Sequence, residues 1–255
     1  MIPPSGLCVG LDPDINRMPL KYQSVAAIPE FLDTIIRATQ HVASAYKINT
    51  AFFEQYGLEG IKAMFKTREL VGSSFCIIDA KRGDIGNTSG AYARALFTEL
   101  RADAVTVAPY MGSDSIQPFL DTGFTYVLAL TSNVGSANFQ RRHTRRADGT
   151  VQELYQCVMD TVLQWPNSRN VGFVVGATHS ELLAEIRSAY RQVPFLIPGI
   201  GAQGALADEV KKANGGAPAL FNVSRAVLYA GTDQDFCLAA CAAAEQFAAE
   251  LSPNP

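Results

Sequence analysis

The stretch Phe75-Cys-Ile-Ile-Asp79-Ala-Lys81-Arg-Gly-Asp84 sets charges of alternating sign at the end of an apolar run. Side chains alternate along a strand, so Asp79 and Lys81 point to one side. Asp84 follows on a loop, past Gly83. Lys47 ends a separate apolar run, Tyr46–Asn49. If the two runs are neighbours, the four residues form a Lys–Asp–Lys–Asp array. In a partly dry pocket such charges hold one another ionised and titrate as a coupled group. The plainer alternative is an ion-pair network that only ties the two runs together.

A second constellation suits a phosphate. Pro198-Gly199-Ile200-Gly201-Ala202-Gln203-Gly204 follows one apolar run, and Asn222-Val223-Ser224-Arg225 closes another. Glycines let backbone N–H groups approach an anion, and a following helix N-terminus adds its positive end. The Arg225 guanidinium offers a fork that matches phosphate oxygens. The alternative is a simple tight turn. Asp12-Pro-Asp14 suits either Mg²⁺ or a ligand hydroxyl. Thr178-His179-Ser180-Glu181 has capping-box spacing, so His179 needs no catalytic role. His41 falls in a helical pattern and His143 in a basic loop, so no His/carboxylate metal centre emerges.

These residues need a scaffold that gathers run ends at one place. Eight short apolar runs recur, at 7–11, 46–49, 75–80, 104–108, 125–130, 171–175, 194–197 and 219–223. Segments with apolar spacings of three and four separate them, including 28–44, 56–66, 90–100 and 180–190. Continuous apolarity is what strands buried on both faces require, which predicts a parallel sheet under helices. Eight such units in 255 residues fit a single-domain (β/α)₈ TIM barrel, an α/β fold. The runner-up is a doubly wound open sheet, which uses fewer strands. In a barrel the site lies at the C-terminal strand ends, where Asp12, Lys47, Asp79, Lys81, Ser132, Ser224 and Arg225 all fall.

Composition narrows the class. Apolar residues make up 48% and the formal net charge is −3, which argues against disorder and against a general nucleic-acid binder. No apolar stretch reaches the ~18 residues a membrane helix needs, and the N-terminus lacks the pattern of a secretory signal. The five cysteines show no C-x-x-C pairing, which argues against structural zinc and disulfides and for a cytosolic protein. Cys237 and Cys241 lie one turn apart on an Ala-rich C-terminal helix, 233–251, with no further ligands nearby in sequence, so small-residue packing is expected there. The longest irregular stretch, 131–150, carries Arg141, Arg142, Arg145 and Arg146. It reads as a solvated surface insertion rather than a lid.

Nearly the whole chain resembles the orotidine 5′-phosphate decarboxylases, specifically their second, bacterial-type subfamily. The resemblance is carried by Tyr-Lys47-Ile-Asn with Ala-Phe-Phe-Glu, by Asp79-Ala-Lys81-Arg-Gly-Asp84-Ile-Gly-Asn-Thr88, and by Ile-Pro-Gly-Ile-Gly-Ala-Gln203-Gly. It implies a cytoplasmic homodimer with composite active sites, converting orotidine 5′-phosphate to UMP and CO₂ without metal or organic cofactor. Lys47, Asp79, Lys81 and Asp84 match the family's charged tetrad, with Asp84 and Thr88 reaching into the partner's site. Asp12 and Lys47 match ribose contacts and Ser132 a pyrimidine contact. Gln203 and Arg225 match the phosphate grip, beside Ser224, with Pro198 lining the pocket. The resemblance also implies a helical segment under the barrel, whereas only six residues precede the first run.

Three other readings are weaker. Sugar-phosphate decarboxylases and hexulose-phosphate synthases share an Asp-x-Lys-x-x-Asp pattern but resemble Mg²⁺ enzymes with an acid where Lys47 stands, and Lys47 would repel the ion. A Schiff-base aldolase needs a neutral amine, and neighbouring carboxylates keep Lys47 and Lys81 protonated. A non-enzymatic barrel would tolerate loss of a tetrad charge, and all four are present.

Overall fold

Each apolar run is a strand of one closed parallel barrel in the computed structural model, which describes residue 3 and residues 5–177, 180–201, 206–232 and 234–252. In chain order the strands are β1 (Ser5–Gly10), β2 (Ala45–Asn49), β3 (Cys76–Arg82), β4 (Ala104–Val107), β5 (Phe124–Leu130), β6 (His143–Arg145), β7 (Val151–Glu153), β8 (Val171–Val175), β9 (Phe195–Pro198) and β10 (Ala219–Val223). β6 and β7 form a separate antiparallel hairpin. The other eight close the ring, with β1 bonded to both β2 and β10.

Helices follow the barrel strands in turn, the longest being Gly57–Val71 and Phe236–Leu251. Helix Ile28–Thr39 shows why they lie flat on the sheet. Its buried residues, Ile28, Phe31, Leu32, Ile35, Ile36 and Thr39, recur at spacings of three and four and form one apolar stripe. The helical pattern expected to run on to Ser44 stops at Thr39, and His41 sits in the turn that leads to β2.

The barrel interior is filled in layers. One side chain from each barrel strand, from Cys8 on β1 through Tyr126 on β5 to Leu220 on β10, forms a dry inner cluster. Two residues further along, alternation brings the next inward positions, among them Lys47, Asp79, Thr106, Leu128, Pro198 and Asn222. Apolar packing thus gives way to charge at one level, and that level is the floor of the mouth.

The 131–150 stretch is more ordered than its irregular sequence implies. The β6–β7 hairpin organises it, with Arg141 paired to Glu153 at 3.1 Å and Arg146 to Asp160 at 3.2 Å. Its arginine tip is a surface feature, as expected, but its base, Thr131 to Gln140, borders the barrel mouth.

Candidate active site at the barrel mouth

A cavity of about 720 Å³ opens at the C-terminal ends of the strands. Its floor carries a line of alternating charge. The Lys47 ammonium lies 3.1 Å from Asp79 Oδ2 and 3.6 Å from Asp12 Oδ1. The Lys81 ammonium donates to Asp79 Oδ1 at 2.6 Å. The parallel β2–β3 register, with Asn49 opposite Asp79, sets the two lysines on either side of one carboxylate.

Burial opposes these charges, and their mutual attraction prevails. Burial alone would drive the proton off Lys47, but Asp12 and Asp79 raise its pKa above the ordinary lysine value. Burial alone would protonate Asp79, but Lys47, Lys81 and a hydrogen bond from Thr106 hold it well below the carboxylate range. Lys81 is more open, its side chain 45% exposed, so its ammonium can meet a ligand.

Local backbone geometry aims Lys81. Its φ is +47°, a left-handed conformation that costs an L-residue roughly 1–2 kcal/mol. The β3–β4 register shifts between Ile78 and Arg82 to accommodate it. Thr106 holds the distortion from both sides. Its hydroxyl donates to Asp79 Oδ1 at 2.7 Å and accepts the Lys81 N–H at 3.0 Å. Sequence reasoning missed Thr106, because Ala-Val-Thr-Val reads as any buried strand and only its pairing with β3 reveals the role.

The rest of the mouth is built from other strand ends. Asp12 Oδ1 is buried and, among the described residues, has no hydrogen-bond partner, so it is left available to a ligand hydroxyl. Tyr229, also missed, holds the turn that carries Asp12. Its hydroxyl accepts from the Asp14 N–H at 2.6 Å and lies 3.3 Å from the Asp12 carbonyl. Ser132, Pro198, Ser224 and Arg225 line the cavity as expected. Gly176 lets the Ser132 segment approach, since a Cβ there would fall 2.7 Å from the Ser132 nitrogen. Gly199 and Gly201 have φ of +107° and +73°, which L side chains rarely adopt, so the Gly-rich turn is a genuine backbone device. Gln203, Thr178 and His179 lie outside the described residues.

The sequence matches the orotidine 5′-phosphate decarboxylase / HUMPS family over residues 5–237. The chain belongs to that family. Among its relatives, the orotidine 5′-phosphate decarboxylase of Flavobacterium johnsoniae is 47% identical over 241 residues, 91% of this chain and 86% of that one. That of Dehalococcoides mccartyi strain 195 is 46% identical over 247 residues, 94% and 89% of the two chains. Among solved structures, the Leishmania donovani OMP decarboxylase superposes with a TM-score of 0.80 at 38% identity, covering 96% of this chain and 93% of that one. The Leishmania donovani UMP synthase gives a TM-score of 0.82 at 39% identity and 96% coverage of this chain, which spans about half of that longer chain, 53%.

Within its own chain Asp84 stands apart from this line of charge. Its carboxylate turns back to accept the Ile85 N–H at 2.7 Å, and neither it nor Thr88 lines the cavity. Asp12 takes the place beside Lys47 instead. After β10 the chain makes one helical turn, Arg225–Leu228, and the Gly-rich run after β9 leads to helix Ala207–Asn214.

Proposed function

We propose that this pocket binds orotidine 5′-phosphate and that Lys81 protonates the carbon left behind as CO₂ departs. The protein is a carboxy-lyase of pyrimidine biosynthesis, an orotidine 5′-phosphate decarboxylase, as its family and relatives have it. The observation that carries the reading of the site is the line Asp12–Lys47–Asp79–Lys81, four charges of alternating sign at the barrel mouth.

In the reaction the C6–carboxylate bond breaks and its electron pair stays on C6. The Lys81 ammonium stabilises that developing charge and then transfers its proton to it, giving UMP. Asp79, fixed in its ionised form, faces the substrate carboxylate and favours its loss by repulsion. Asp12 and Lys47 take the ribose hydroxyls, Ser132 the pyrimidine, and Arg225 with Ser224 and Gln203 the phosphate, with Pro198 against the ring. Phosphate binding far from C6 supplies energy that is realised in the transition state. The chemistry runs without metal or organic cofactor. A divalent cation has no room in the role it plays in the Mg²⁺ relatives, because the Lys47 ammonium already sits between Asp12 and Asp79.

We further place the chain in the second, bacterial-type subfamily, on the Asp79-to-Thr88 motif, as one cytoplasmic barrel domain acting on a small molecule rather than nucleic acid. The active unit is a homodimer. Neither Asp84 nor Thr88 lines its own cavity, and Ile85, Tyr92, Tyr110 and Met111 expose apolar surface on the neighbouring loops and helix. The Asp84 N–H donates to Ser115 Oγ, which ties those loops into one face. A partner seated there would cover the apolar patch and receive Asp84.

The test is loss of the ultraviolet absorbance of orotidine 5′-phosphate with purified protein in excess EDTA. Rapid conversion to UMP is expected. No conversion by the folded protein, with turnover of a keto-sugar phosphate once Mg²⁺ is added, would move the chain to its sugar-phosphate relatives.

A further inference from the structure

The C-terminal helix, read from sequence as mere small-residue packing, meets a ligand that sequence distance concealed. Cys241 and Glu245 lie one turn apart on helix Phe236–Leu251, and the fold brings His41 against them from the turn after helix Ile28–Thr39. His41 Nε2 lies 2.9 Å from Glu245 Oε1, and Cys241 Sγ lies 3.7 Å from the same oxygen. One donor atom from each residue lies within 4.8 Å of the others.

We propose that His41, Cys241 and Glu245 form a binding site for a divalent transition metal of the zinc type, clamping the first and last long helices together. Imidazole, thiolate and carboxylate are the donor types zinc takes. Bonds of about 2.0–2.3 Å in a tetrahedron set donor atoms roughly 3.3–3.8 Å apart, so small side-chain rotations convert the present cluster into a ligand set. A neutral imidazole, a thiolate and a carboxylate balance the ion's two positive charges. The fourth position faces water, since the His41 and Glu245 side chains are 48% and 55% exposed.

The site lies at the N-terminal end of β2, at the opposite end of the barrel from the mouth, and takes no part in decarboxylation. It bridges residues 204 apart in the chain, which a side chain of either helix alone cannot do.

The experiment uses chelator-treated protein titrated with Co²⁺ as a spectroscopic stand-in, then with Zn²⁺. One equivalent of Co²⁺ should give a thiolate-to-cobalt charge-transfer band that Zn²⁺ abolishes. The band should vanish in Cys241→Ser, persist in Cys237→Ser, and need at least tenfold more Co²⁺ in His41→Ala. Saturating Zn²⁺ should raise Tm by about 5 °C in wild type but not in His41→Ala. Decarboxylase turnover should be equal in all variants, showing that each is folded. No band, a band that survives Cys241→Ser, or an equal Zn²⁺ shift in His41→Ala would overturn the site and leave only a surface ion pair.

Discussion

At the scale of single residues, the site depends on charges that are stable only together. Lys81 is the more open of the line's two lysines, so Lys81→Ala should lower kcat by about 10³-fold or more while UMP binding stays within a few-fold. Activity within tenfold of wild type would remove Lys81 from its role. Asp79 is ionised below its ordinary pKa in the folded chain. Its contribution to stability is therefore complete above the unfolded value of about 4 and is lost as pH falls from there toward the folded value. Lys47 has the opposite sign, full below about 10.4 and lost as pH rises through its raised value. The stability advantage of wild type over Asp79→Asn, read from urea midpoints, should be largest near neutral pH and shrink below about pH 4. A constant gap would contradict the assignment. Sequence showed Asp79, Lys81 and Lys47 because charge inside apolar runs is conspicuous. It hid Thr106 because a hydroxyl among β-formers carries no such contrast.

At the scale of elements, period and continuity of apolarity made the eight strands legible, since a strand buried on both faces has few other compositions. Segment ends and polar burial were harder. Arg187 falls in an ordinary amphipathic pattern, yet it is 4% exposed. Its guanidinium donates to Asn214 Oδ1 and to the carbonyls of Tyr190, Val193 and Pro218, and lies 3.5 Å over the Phe195 ring. Those acceptors come from two separate connections and the end of a helix, which no local pattern can announce. The direction of the loop after β3 was equally hidden, because it follows from the left-handed turn at Lys81. Tyr126 supplies a test of the barrel layer. Its hydroxyl is buried with no partner among the described residues, so it bears a desolvation cost without return. Tyr126→Phe should leave the protein as stable or up to about 1 kcal/mol more stable by chemical denaturation. A loss above about 1 kcal/mol would mean the hydroxyl is satisfied in solution.

At the scale of the whole molecule, the proposed homodimer assigns Asp84 and Thr88 to a partner's site. If Asp84 acts across an interface, mixing inactive Asp84→Asn and Lys81→Ala subunits should restore measurable activity, because one hybrid site keeps both groups. No recovery despite proven subunit exchange would count against shared sites. The ring's own seam has a further bearing, on time rather than on structure. β1 and β10 lie at opposite ends of the chain and join last in any local order of assembly. Asp12 leaves one side of that seam and Ser224 and Arg225 the other, with Tyr229 bridging to the turn that carries Asp12. A partly wound chain can thus hold native helices, and even the Lys47–Asp79–Lys81 group, while having no place for the substrate. During refolding, helical circular dichroism should recover before decarboxylation does, and turnover should appear only with the slowest phase. The enzyme's own product is then a clock for the closing of its barrel.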